Sequence, residues 1–235
     1  MSLSDRDPEE VTQFDLSEDL VISPTHKPKQ TNAVDFDGLL TPPLVLHEDL
    51  AKGNGGQAWP AGMILTKYIL RKKQDSMKNA SSIVELGAGG GLVGLGVAVG
   101  CQPNALIHIT DMDAMFALMQ QNIELNGLNG KVKAAVYDWG TATPEGIPQH
   151  PHVVLAADCV YFEPAFPLLQ QTLQDLIGPS TVCYFCFKRR RRADMHFLKA
   201  VKKQFLVEDV LDDPDQPSYA RENIFLCTIR RKAGR

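Results

Sequence analysis

The chain has 235 residues, enough to bury one large core, with hydrophobic and charged shares of 44% and 22% that fit a water-soluble globular fold. Its formal net charge of −4 excludes a general nucleic-acid binder, though not a local basic patch. No segment approaches the roughly 18 uninterrupted apolar residues of a membrane span, and Met1–Asp7 has neither the basic flank nor the apolar run of a secretory signal.

Residues 1–30 are acidic and poor in apolar groups, and Pro8, Pro24 and Pro28 break any regular run. They predict a disordered tail, either solvated or contacting a basic partner. Residues 31–58 form an N-terminal extension in which apolar residues return between Val34 and Leu46, around Asp37-Gly38 and Pro42-Pro43. That pattern predicts a short strand pair or an ordered extension. Gly53-Asn54-Gly55-Gly56 reads as a flexible break.

The main domain is expected over 59–235. Trp59-Pro60 starts a helix, proline being tolerated at the first helical position, and Ile64, Leu65, Tyr68 and Ile69 recur at helical spacing. Strands are predicted at 82–86, 105–110, 131–137, 152–157, 181–187, 205–211 and 223–230, and helices at 91–99, 112–126, 164–177 and 193–204. This alternation makes an α/β fold with a mostly parallel sheet and helices on both faces. Only the polar stretch Asp212–Pro217 separates the last two strands, which predicts a terminal antiparallel hairpin. The five cysteines are scattered and odd in number, which reads as free thiols. Cys183 and Cys186 form a CxxC, a pattern that serves redox or metal chemistry elsewhere. Here it lies in a predicted core strand, where an i, i+3 pair points to opposite faces, so the reading is packing and no metal site is expected.

Chemistry gathers where strands end, since ligands of open α/β sheets bind beyond the carboxyl ends. Ile83-Val84-Glu85-Leu86 runs into Gly87-Ala88-Gly89-Gly90-Gly91, a strand feeding a glycine turn that opens a helix. Asp111 ends the next strand, where a carboxylate can accept ribose hydroxyls or cap the following helix. Tyr137-Asp138-Trp139 follows the third strand, and Trp139 either meets an adenine or packs in the core. Ala157-Asp158-Cys159-Val160-Tyr161 follows the fourth. Trp59 is either a lid over a cofactor or a core anchor. Gly89, Gly91 and Gly94 satisfy the GxGxxG dinucleotide signature, but no acid-base set for hydride transfer follows it. Glu85-Leu86-Gly87-Ala88-Gly89, with its acid two residues before the first glycine, is instead the pattern of S-adenosylmethionine enzymes.

The pieces Gln57-Ala58-Trp59, Val84–Gly89, Ile109-Thr110-Asp111, Asp138-Trp139-Gly140 and Ala157–Tyr161 occur in one order over residues 57–161. With them the chain resembles the seven-β-strand methyltransferases, and among these the family-16 protein-lysine methyltransferases. The Asp158-x-x-Tyr161 element is the most specific part of the match. The resemblance implies S-adenosyl-L-methionine as cofactor, bound by Trp59, Glu85, Gly87, Ala88, Gly89, Asp111, Trp139 and Ala157. It implies Asp158 and Tyr161 as catalytic residues facing a substrate lysine. Within the family the likeness runs toward a fungal member that modifies translation elongation factor 1-alpha, which it implies as protein partner. A monomer in the cytoplasm is expected.

Alternatives stay open at this point. Asp158 reads also as a helix cap near Pro164, and Tyr161 as core. Nucleic-acid amino-methyltransferases carry prolines after the fourth strand that this chain lacks. The five consecutive bases Lys188–Arg192 nonetheless leave RNA phosphates, nuclear entry, docking on an acidic protein or a solvated loop in play. A small-molecule methyltransferase and a catalytically silent cofactor-binding module are the remaining readings.

Overall fold

A computed structural model describes residues 29–232, so all but the last two residues of the acidic tail expected at 1–30 lie outside the described residues. The strand pair expected in the extension is present: β1 (Gln30–Val34) and β2 (Leu44–Glu48) pair antiparallel. The break at Gly53–Gly56 is short helical turn rather than open chain, and Gly56 is buried against the Asp49 carbonyl.

The main sheet has seven strands in the order β5-β4-β3-β6-β7-β9-β8. They are β3 (Ile83–Leu86), β4 (Ile107–Asp111), β5 (Val132–Val136), β6 (Val153–Ala157), β7 (Val182–Lys188), β8 (Phe205–Asp209) and β9 (Ile224–Arg231). The first five run parallel, while β9 inserts antiparallel between β7 and β8. Helices α1 (Pro60–Lys72), α3 (Leu92–Cys101) and α4 (Asp113–Leu125) cover one face, and α5 (Phe166–Leu176) and α6 (Arg192–Gln204) cover the other. A five-residue helix, α2 (Gln74–Lys78), joins α1 to the sheet. The alternation of buried residues explains the two cores. Ile83, Ile107 and Cys186 belong to the α1/α3/α4 side, whereas Val84, Val154 and Cys183 belong to the α5/α6 side. Cys183 and Cys186 therefore lie on opposite faces, both as free thiols.

The last connection differs from expectation. The segment between β8 and β9 contains a six-residue helix, α7 (Gln216–Arg221), with a proline in its first turn and Tyr219 buried against the core. Six residues are too few for hydrophobic periodicity to register. Asp213 and Asp215 before it are held by Arg71 of α1 at 3.5 and 2.6 Å.

Strand order reverses at β3: the chain passes to β4 and β5 on one side and returns to β6 on the other. The carboxyl ends of β3, β4 and β6 thus border one crevice, at the switch point where such sheets bind ligands.

Candidate active site

The glycine turn after β3 is held by the neighbouring strand. Ala88 N donates to the Thr110 carbonyl at 3.0 Å, and Gly89 N donates to Asp111 Oδ2 at 2.7 Å. The other oxygen of Asp111 accepts Met112 N at 2.8 Å. Met112 occupies the capping position of α4, so Asp111 ties the loop instead of capping that helix. Glu85 lies beneath, buried, and accepts Gly94 N at 2.7 Å in the first turn of α3. Burial pushes its carboxyl up to about 8, reinforced by the charge of Asp111 and opposed by the Gly94 amide. From α4, Asn122 donates to the Gly90 carbonyl at 2.8 Å, so the turn is braced from both β4 and α4.

Gly87 and Gly89 both have left-handed backbone, φ 61° and 56°. A β-carbon at Gly87 would stand 2.9 Å from both Cys159 Sγ and the Trp139 ring; one at Gly89 would stand 2.4 Å from the Gly55 carbonyl oxygen. The supposed break at Gly53–Gly56 therefore folds onto the glycine turn, and the absence of side chains on both permits the approach. Trp59 continues that contact, its indole N–H donating to the Asn54 carbonyl at 2.8 Å.

These groups line a cleft of about 640 Å³ that also contains Trp139, Ala157, Asp158 and Tyr161. All ten residues read from the sequence as cofactor-binding or catalytic border this one cavity. An adenosyl group fits what is there: a glycine turn at the end of β3, a carboxylate at the strand tip, two indole rings, and room for a nucleoside. Cys159 is buried with its Sγ 3.3 Å from the Leu86 carbonyl, and burial holds its thiol well above the usual range, so it is no nucleophile.

The far end of the cleft holds what the sequence did not disclose. Asp158, in left-handed backbone at φ 56°, is gripped by Arg190: Nη2 to Oδ2 at 2.7 Å and Nη1 to Oδ1 at 2.9 Å. Oδ1 also accepts Lys188 N at 3.2 Å. The pairing with Asp158 holds the Arg190 guanidinium above its ordinary range, and that cation lies 5.5 Å from the Trp59 ring centre. Asp158 caps no helix. The basic run is exposed from Arg189 to Arg192, yet three of its members are tethered. Arg189 donates to Asn223 Oδ1 at 2.6 Å, Arg191 donates to the Tyr161 carbonyl, and buried Asp194 accepts the backbone amides of Arg190 and Arg191. Among the described residues no group of acids, histidines and cysteines is arranged to hold a metal.

A family model for lysine methyltransferases matches residues 40–204. Protein-lysine N-methyltransferase EFM6 of Saccharomyces cerevisiae is 36% identical over 239 residues, covering 91% of this chain and 96% of the relative. EEF1A lysine methyltransferase 3 of Xenopus tropicalis is 31% identical over 170 residues, 72% of this chain and 73% of that one. Among solved structures, the SAH-bound methyltransferase PaMTH1 of Podospora anserina superposes with a TM-score of 0.53 at 12% identity, over 77% of this chain and 81% of that one, a likeness of fold alone.

Proposed function

This chain belongs to the lysine methyltransferase family, and from that premise we propose that it methylates a lysine of translation elongation factor 1-alpha in the cytoplasm. It is an S-adenosylmethionine-dependent protein-lysine N-methyltransferase. The observation that carries the assignment of residues is the single cleft that joins the glycine turn and Asp111 at one end to Asp158 and Tyr161 at the other. The target is supported by the Xenopus relative, whose name gives EEF1A as its substrate.

Bound S-adenosylmethionine supplies an already activated methyl group on a sulfonium. Gly87, Ala88 and Gly89 offer backbone to it, Asp111 accepts from ribose hydroxyls, Trp59 and Trp139 wall the flat groups, and Ala157 leaves space. Glu85 acts from beneath by fixing the start of α3. The remaining work concerns the lysine, which is charged at pH 7; presenting it neutral costs about 4–5 kcal/mol. Asp158 orients the ammonium as it docks, and Tyr161 aligns it from the side. The proton then leaves to solvent before transfer. Rate comes chiefly from alignment inside the cleft.

The test is transfer of radiolabel from S-adenosylmethionine to purified elongation factor 1-alpha, beside a cell extract with and without ribonuclease. A ribonuclease-resistant protein band at the factor's size supports the proposal. Label lost with ribonuclease overturns it in favour of RNA. Asp158→Ala is expected to abolish labelling while S-adenosylhomocysteine still binds, and undiminished methylation would remove Asp158 from its role.

A further inference from the structure

A lone carboxylate beside the substrate presents a physical conflict. It attracts and orients the ammonium, but an opposite charge within about 4–6 Å raises a lysine's pKa by roughly 1–3 units and so holds the proton that must leave. The structure contains a group that resolves the conflict. Asp158 has only 5% of its side chain exposed, and both of its oxygens are engaged by the Arg190 guanidinium, at 2.7 and 2.9 Å. A guanidinium stays charged at any pH an enzyme meets, so it offsets the charge of the carboxylate it grips.

We propose that Arg190 is a positioning residue of the methyl transfer: it neutralises Asp158 at the far end of the cleft from the glycine turn, so that the lysine is oriented by the carboxylate without being held as an ammonium. This rests on the reading of Asp158 as the residue facing the lysine. Arg190 is built into that place. Its backbone amide is fixed to buried Asp194 at 2.7 Å, and its guanidinium lies over Trp59, a wall of the same cleft. The next residue, Arg191, donates to the carbonyl of Tyr161. One short segment thus touches both residues assigned to the lysine and one assigned to the cofactor. A carboxylate offers about four acceptor sites, of which Arg190 and the Lys188 amide take three, so an acceptor remains for the amine.

The charged and titratable groups around the pair are Lys188 from β7, Arg191 just before α6 and Asp194 in its first turn, and Glu163 and the thiol of Cys159 after β6. Cys186 of β7 also faces it, and Asp111 and Glu85 lie across the cleft. A comparison of variants in which these are unchanged isolates Arg190.

The experiment measures kcat against pH for the full-length chain acting on the protein it labels in extract, because the kcat profile reports groups in the substrate complex. For Arg190→Gln the midpoint of the rising limb moves up by roughly 1–3 units, and kcat at pH 7 falls at least tenfold while KM does not rise. Arg190→Lys, which keeps the charge, restores the midpoint toward that of the unaltered chain. A merely structural role predicts a lower melting temperature or weaker S-adenosylhomocysteine binding in Arg190→Gln with the midpoint unmoved, and that result overturns the proposal alone, provided Asp158→Asn is inactive. Full activity in Asp158→Asn overturns the lysine-facing reading and the proposal with it.

Discussion

Gly89 concentrates more of the site than any other single position. Its φ of 56° is one that side chains adopt at a penalty, its amide is bonded to Asp111, and its missing β-carbon lets the Gly55 carbonyl close over it. Gly89→Ala adds a contact 2.4 Å from backbone oxygen to a left-handed strain of about 1–2 kcal/mol. We expect S-adenosylhomocysteine affinity to drop at least tenfold by calorimetry. Gly130→Ala is the control: its φ is 82° but the added carbon meets nothing within 4 Å, so it carries the strain without the clash. It should lower the melting temperature slightly and leave binding alone. Asp111→Asn tests charge at the same loop. An asparagine oxygen still accepts the Gly89 amide, but its NH2 group replaces the acceptor of the Met112 amide, so one loop bond goes together with the charged acceptor for ligand hydroxyls. Affinity should fall about tenfold, the difference between charged and neutral hydrogen bonds, with the fold retained. At Asp158 and Arg190 the residue types were legible and the relation was not. A run of five bases carries no mark of which member turns inward, and a separation of 32 positions between the partners leaves no local pattern.

At the scale of elements, α4 is the link between the N-terminal hairpin and the cofactor loop. Asn122, fully buried, accepts the amide of His47 at 2.8 Å, donates to its carbonyl at 3.1 Å, and donates to the Gly90 carbonyl at 2.8 Å. One turn later Asn126 repeats the clasp on Val45, at 2.8 and 2.7 Å, its amide also donating to the Asn122 carbonyl at 2.7 Å. The i, i+4 spacing puts both amides on one helix stripe, where they serve β2 as a partner strand would. Asn122→Ala strands three backbone groups out of water, which costs about 2–3 kcal/mol in urea unfolding. Because one of the three belongs to the glycine turn, it should also weaken cofactor binding. Asn126→Ala should destabilise less and leave binding intact; equal effects on binding would mean that the hairpin as a whole, not the Gly90 bond, shapes the loop. Polar residues on a helix read as solvent-facing, which is why this clasp was invisible in the sequence. The same holds for Gly53–Gly56, where a composition that signals freedom in isolation signals close packing once Gly89 lies opposite.

Across the whole molecule, the seven strands were legible because buried parallel strands are short apolar runs between turn signals. The insertion of β9 between β7 and β8 was not, since pairing order depends on which edges remain open after the parallel strands assemble. The ten site residues could be found because each sits at or near a strand's carboxyl end or at the first turn of α1, where the topology alone brings them together. That same placement buries Glu85 at the centre of the sheet, and its consequence belongs to the stability of the entire fold. Its carboxyl is pushed from 4.5 up to about 8, chiefly by burial. Between those values the unfolded chain has released the proton while the folded chain keeps it. Stability therefore falls as pH rises, by roughly 1.4 kcal/mol per pH unit at most, and levels off above the folded value. Asp215, held low by Arg71, acts in the opposite sense at more acid pH, and His108, held low by burial, does so within this window; both are unchanged in a Glu85 variant and cancel from its comparison. Glu85→Gln keeps an acceptor for the Gly94 amide and removes the titration. Urea unfolding from pH 5 to 9 should show the gap between variant and unaltered chain shifting steadily in the variant's favour up to about pH 8. Two parallel curves would mean that the Gly94 amide, at 2.7 Å, outweighs burial and holds Glu85 ionised in the folded protein.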